Sequence, residues 1–159
     1  MEKEAIVVLD LFELKGIDYT LFEHLPVYTS EEASRVRGVE LRTGVKAMLL
    51  REKSQESNYL LADIAANRKI DFTKLESLAK VKHLRFATRE EVIAMTGCEP
   101  GSVHPLGNLF GLTTYLDVSV IENEFVNFNI GMLTRSVRIR SRDLLKVMMP
   151  DLLGEFSKQ

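Results

Sequence analysis

The chain has 159 residues, 45% hydrophobic and 28% charged, and 21 Lys and Arg against 23 Asp and Glu leave a formal net charge of −2. That length suits one domain able to bury its own core, and the charge balance excludes a long duplex-binding surface, which needs many neutralised phosphates. The single cysteine, Cys98, excludes an internal disulfide and a multi-cysteine zinc site; no apolar run approaches bilayer length and Met1-Glu2-Lys3-Glu4 lacks the charge of a secretory leader, so the expected compartment is cytoplasmic.

In chain order, residues 3–15 place Ile6, Leu9, Phe12 and Leu14 near helical spacing, and Gly16 stands where a helix ends in a left-handed turn. Residues 17–23 alternate Ile17, Tyr19 and Leu21 with polar neighbours, as in a strand with one buried face. His24-Leu25-Pro26-Val27-Tyr28 breaks that pattern. Thr29-Ser30-Glu31-Glu32 then forms a capping box for a short helix ending near Gly38. Residues 45–51 and 59–64 read as paired, buried strands joined by a polar loop over 52–58.

Two short helices are expected next, one over 73–80 and one opened by a second capping box, Thr88-Arg89-Glu90-Glu91, and closed by Gly97, with a strand over 83–86 between them. Strands follow over 112–116, 125–129 and 136–140, then a helix capped by Ser141 and stopped by Pro150. Consecutive strands among scattered short helices predict an α+β fold with a central mixed sheet. One domain over 1–153 is expected, followed by a disordered tail over 154–159.

Basic residues cluster at Arg35, Arg37, Arg42, Lys46, Arg51 and Lys53, and again at Arg135, Arg138, Arg140, Arg142 and Lys146. By pattern these are solvated faces. In the strand near 136–140, Val137 and Ile139 point one way and Ser136, Arg138 and Arg140 the other, a basic stripe over a buried face.

Two features stand out chemically. Gly97-Cys98-Glu99-Pro100-Gly101-Ser102-Val103-His104-Pro105-Leu106-Gly107 holds three of the nine glycines and two of the four prolines. Such a loop is rigid and closely approachable, with N–H groups able to donate to an anion or a developing oxyanion; the same composition also serves a plain helix-to-strand connection. Lys46 interrupts Val45-Lys46-Ala47-Met48-Leu49-Leu50, sharing a strand face with Met48 and Leu50. It either snorkels from a sheet edge or meets a phosphate or carboxylate. Conventional sets are poor. Cys98 reads as a small buried residue, Ser102 lacks nucleophile-elbow spacing, and His24, His83 and His104 are too dispersed for a metal site; no Walker loop or dinucleotide fingerprint occurs.

The combination of Tyr28-Thr29-Ser30-Glu31-Glu32-Ala33, the Lys46 strand, the glycine-rich loop, Tyr115-Leu116-Asp117 and Phe128-Asn129-Ile130-Gly131, collinear over about residues 1–150, resembles the YbaK/ProX family. These are freestanding relatives of the editing domain inserted in some prolyl-tRNA synthetases. The resemblance implies a partly barrel-like sheet surrounded by short helices and hydrolysis of the ester joining a wrong amino acid to the 3′ end of a tRNA, without metal or organic cofactor. Lys46 and Gly101 are then the catalytic positions, the lysine at the aminoacyl-adenosine end and the loop closing on the ester. Tyr28, Thr29, Ser102, His104, Asn129 and Gly131 are the implied substrate-binding residues.

The implied substrate is alanine or cysteine on a proline tRNA. The implied partners are the tRNA 3′ acceptor end and a tRNA synthetase, with neither DNA nor membrane. Where many relatives carry a pocket histidine after the Phe-Asn-x-Gly stretch, this chain has Met132-Leu133, a greasier wall, and His104 is the candidate replacement imidazole. Leu133 favours one rival reading, a non-catalytic tRNA-end or synthetase-associated binding module. A second rival is a hydrolase of small acyl esters unrelated to tRNA.

Overall fold

A computed structural model describes residues 2–54 and 58–159. The chain opens with α1 (Glu2–Lys15), whose Ala5, Val8 and Phe12 form the buried stripe, and β1 (Thr20–Glu23). In α2 (Ser30–Arg37) the Thr29 hydroxyl accepts the Glu32 N–H at 3.1 Å, but the Glu32 carboxylate takes the Thr29 hydroxyl rather than its backbone N–H, so the first capping box is half formed. Next come β2 (Val45–Glu52), β3 (Tyr59–Ala65), β4 (Lys69–Ile70), α3 (Phe72–Ala79), β5 (Leu84–Phe86) and α4 (Arg89–Thr96). The box at Thr88 is complete. Part of the polar connection expected over 52–58, residues 55–57, lies outside the described residues.

The second half contains β6 (Thr113–Asp117), α5 (Val118–Ile121), β7 (Phe125–Met132), β8 (Arg135–Arg140), α6 (Ser141–Met148), β9 (Leu152–Gly154) and β10 (Ser157–Lys158). A mixed sheet in the order β5-β2-β3-β6-β9 is central, with β2 antiparallel to both neighbours and β3-β6-β9 parallel. The α+β class and mixed sheet match expectation. The antiparallel strands β1-β8-β7 form a second sheet, joined to the first by a single parallel bridge between Gly44 and Asn127. One core cluster lies among β7, β8, α1 and α6; two more cover the faces of the mixed sheet, one under α3 and Phe156, the other under α4 and the glycine-rich loop.

Two local expectations are corrected. Ser141 is the first helical residue of α6 rather than its side-chain cap: the cap position falls on Arg140, which makes no side-chain cap bond, and the Ser141 N–H donates to the Glu124 carbonyl at 2.8 Å. The tail from Gly154 is ordered: Phe156 is fully buried, Ser157 pairs with Ile70, and the Asp117 carboxylate accepts the Phe156 N–H at 2.7 Å and the Ser157 hydroxyl at 2.6 Å. Burial alone would raise the Asp117 pKa, but these bonds and those from Ser119 outweigh it and hold the group below its ordinary value. A lone phenylalanine in a polar tail was the available signal. No helix among the described residues is long and apolar enough to cross a membrane.

Candidate active site

Strand β2 pairs with β3 from Val45 to Arg51 but with β5 only from Leu50 to Glu52, so its first half presents an open edge. At that edge the Ala87 N–H donates to the Leu49 carbonyl at 2.9 Å, and by two-residue alternation the main-chain groups of Ala47 face the same way. A cavity of about 540 Å3 lies there, within the range of small-ligand sites. Its other walls are α2 with the preceding Val27-Tyr28-Thr29, the loop residues Pro100, Gly101 and Val103, and Asn127 and Asn129 of β7.

Lys46 borders this cavity and is half-buried. Its ammonium makes no hydrogen bond or ion pair among the described residues; burial lowers its pKa, the field of Glu31 opposes that, and Lys69 adds to it. Thr29 caps α2 at the rim, and Tyr28 beside it is 71% exposed. Both are therefore placed to meet a ligand larger than the cavity.

The loop is anchored to β7. Asn129 donates from Nδ2 to the Gly101 carbonyl at 2.7 Å, and the Gly131 N–H donates to the Ser102 carbonyl at 2.8 Å. Gly131 (φ +94°) sits within a bulge between Asn129 and Met132, and Gly101 itself has φ +89°; an L side chain would strain both positions. The Ser102 N–H and hydroxyl both donate to the Glu99 carbonyl, at 3.0 and 2.7 Å, which tightens the turn. Among the described residues, the N–H groups of Gly101 and Val103 have no acceptor, and both residues line the cavity. Two such donors suit a developing oxyanion.

Tyr28, Thr29, Lys46, Gly101 and Asn129 are thus brought together. Ser102, Gly131 and His104 are not: they lie behind the wall. His104 stacks on Phe110 with ring centroids 4.3 Å apart, accepts the Leu106 N–H through Nδ1, and is pushed down to about pKa 3 by burial. It is a neutral core residue and replaces no pocket imidazole. Cys98 is buried, and burial pushes its thiol up to about 11, so it is no nucleophile. Leu133 stays outside the cavity lining.

The wall instead carries a polar cluster that the sequence reading passed over. Arg37, counted there among solvated basic residues, donates from Nε to Ser136 Oγ at 2.9 Å, from Nη1 to Asn127 Oδ1 at 2.8 Å and from Nη2 to Asn129 Oδ1 at 2.9 Å. Ser136, expected on a solvated basic stripe, is fully buried, while Arg138 and Arg140 lie over the Phe125 ring at 3.9 and 4.8 Å. The legible signal was Asn127-Phe128-Asn129, which sets two amides on one face of an otherwise apolar strand.

The site is thus that of a small α+β domain whose open sheet edge, unpaired lysine and glycine-rich loop border one ligand-sized cavity. The chain belongs to the aminoacyl-tRNA editing domain family, which matches residues 24–147. It is 30% identical over 149 residues to the multifunctional Ser/Thr-tRNA deacylase ProXp-y of Escherichia coli K12, covering 92% of this chain and 89% of that protein. It is 33% identical over 124 residues to the prolyl-tRNA editing protein ProX of Acetoanaerobium sticklandii, covering 77% and 74%. A solved structure described as a candidate trans-editing enzyme for prolyl-tRNA synthetase shares the fold, with TM-score 0.83, 24% identity and 98% of each chain covered.

Proposed function

We propose that this chain is a trans-acting aminoacyl-tRNA deacylase that hydrolyses the ester of a small, wrongly attached amino acid, with serine and threonine favoured over the alanine or cysteine first inferred. The observation that carries the reading is that one cavity is lined by the unpaired Lys46 and by Gly101 and Val103, whose N–H groups have no acceptor among the described residues. Water adds to the ester carbonyl carbon and gives its first proton to solvent, and the resulting oxyanion is held by the two N–H groups, each worth on the order of 3 kcal/mol. The bond from that carbon to the ribose 3′ oxygen then breaks, and the water's second proton ends on that oxygen, releasing amino acid and tRNA. Lys46 clamps the ribose-phosphate end, and the neighbouring ribose hydroxyl orients the water. No side-chain nucleophile is required.

Two points support serine and threonine: the polar wall around Arg37, and the activity named for the Escherichia coli relative. A second sieve of this kind is needed because a synthetase separates near-identical side chains by only about 1–3 kcal/mol. The partner is the 3′ end of a charged tRNA in the cytoplasm, with a synthetase as the source of the error.

The test is release of labelled amino acid from tRNAs charged with serine, threonine, alanine, cysteine or proline, with wild type and Lys46→Ala in parallel. Rapid loss of a wrong amino acid, reduced on the order of 10²-fold by the substitution, is expected. Survival of every ester while tRNA still binds would replace catalysis with the adaptor reading.

A further inference from the structure

Arg37 is a cation without a counter-ion. It ends α2, lines the cavity, and makes three hydrogen bonds to neutral oxygens, those of Ser136, Asn127 and Asn129. No carboxylate lies within ion-pair distance of it among the described residues. Burial lowers its pKa to about 10, which leaves it charged at neutral pH. A guanidinium carries five N–H donors, and three are used, so one remains on each of Nη1 and Nη2.

Its position is rigid. Asn127 is held through Nδ2 by Thr43 Oγ1 at 2.9 Å and Asn129 through Nδ2 by the Gly101 carbonyl at 2.7 Å, so each amide must turn its oxygen to the arginine. Ser136 fixes the guanidinium plane at Nε. The lining also includes the apolar Ala33, Leu41, Val45 and Ala47, together with Ser30 and Ser34 of α2, and the Ser34 hydroxyl donates to the Glu31 carbonyl at 2.9 Å. A half-buried charge with unused donors in such surroundings is unfavourable until something in the cavity accepts from it. The α-ammonium of an aminoacyl ester is repelled by Arg37, as it is by Lys46, and no further oxygen among the described residues accepts from the guanidinium.

We propose that Arg37 is the specificity-determining residue of this cavity, donating to the side-chain oxygen of the aminoacyl group, so that serine and threonine esters are hydrolysed in preference to alanine and cysteine. The inference rests on the deacylase reading above and adds to it the residue that selects the amino acid. A hydroxyl offers two lone pairs to the unused N–H groups, a thiol is a weak acceptor, and a methyl group leaves both donors unpaired. Sites built to bond a substrate hydroxyl reject the analogue lacking it far better than apolar pockets of matching size do.

The experiment measures kcat/KM on serine-, threonine-, alanine- and cysteine-charged tRNA for wild type, Arg37→Met and Asn127→Asp. Arg37→Met keeps the length and removes the donors; the serine-to-alanine ratio is expected to fall by about 10²-fold through loss on serine alone. Asn127→Asp keeps Arg37 and its Nη1 acceptor but supplies a counter-ion. It is expected to lower the same ratio about tenfold while kcat/KM on the alanine ester is held, a split that a purely structural arginine would not produce. Proportional loss on all four substrates would overturn the inference and make Arg37 a support for Asn129 and the loop. A uniform rise in KM for every tRNA would overturn it in favour of a phosphate contact. A wild type that hydrolyses the esters with ratios unaltered in both variants removes this inference and leaves the deacylase; a wild type inert on all four removes both.

Discussion

His104 provides a direct test of where the structure puts the loop histidine. Its ring is buried against Phe110, with Nδ1 accepting the Leu106 N–H, and burial depresses its pKa to about 3, against about 6.5 for the unfolded chain. Between those values the unfolded chain binds a proton that the folded chain refuses. Stability therefore rises with pH through this window: it is fully present above about pH 6.5 and lost progressively on acidification toward pH 3. At about pH 4.5 the difference of two pH units corresponds to a loss on the order of 3 kcal/mol. His104→Gln keeps an acceptor for Leu106 and removes the titration, so its absolute stability is lower but its pH dependence flatter. Urea unfolding at steps from about pH 7 to pH 4 checks this. The quantity read is the difference in slope between variant and wild type, about one proton per molecule, which cancels every other titrating group. Identical slopes would mean that the imidazole is wet or protonated in the native state, and would reopen His104 as a cavity residue.

Asp63 should act with the opposite sign. It lies in β3 opposite Ala47 and Leu116, both carboxyl oxygens lack partners among the described residues, and burial raises its pKa well above the ordinary value. Its contribution is fully present below about pH 3.8 and lost as pH rises toward the folded value, so Asp63→Asn is expected to gain stability over wild type as pH increases from that point; a difference that stays constant in melts from about pH 4 upward would refute the placement. Gly101→Ala probes the loop backbone. The added Cβ meets nothing closer than Leu133 Cδ2 at 3.9 Å, so the cost is the positive φ, about 1–2 kcal/mol, and deacylation should fall while the melting temperature drops by only roughly 2–8 °C. An unaltered kcat would show that the loop N–H groups do not hold the oxyanion.

How much was legible in the sequence depends on whether a signal was local. Thr88 with Glu91, Gly97 closing α4 and the buried run of β2 and β3 follow from capping and periodicity over a few residues, and the structure has them where expected. The parallel addition of β9 to β6 and the clamp of Asp117 on Phe156 and Ser157 join residues some forty positions apart, and no window of spacing contains them. The site divides the same way. Lys46 announced itself as a charge inside an apolar strand. Arg37 looked like one of several helix-surface cations, because only the fold brings α2 against Asn127 and Asn129, about ninety residues later. His104 misled for the converse reason: a histidine in a glycine-rich loop looks accessible until the loop is seen folded over the mixed sheet.

Asn129 explains why recognition and chemistry need not be separate parts of this cavity. Its Oδ1 accepts from Arg37 Nη2 and from the Ser136 hydroxyl, while its Nδ2 holds the Gly101 carbonyl. One amide therefore holds both the guanidinium that lines the cavity and the Gly101–Ser102 peptide, the unit next along the chain from the one that carries the Gly101 N–H. An amide cannot rotate to improve one contact without losing the other, so a ligand oxygen that pulls on Arg37 acts on the loop through a single rigid group. A methyl group in the same place exerts no such pull. If Arg37 donates to the side-chain oxygen and the loop N–H groups hold the oxyanion, as proposed, discrimination enters the chemical step as well as binding.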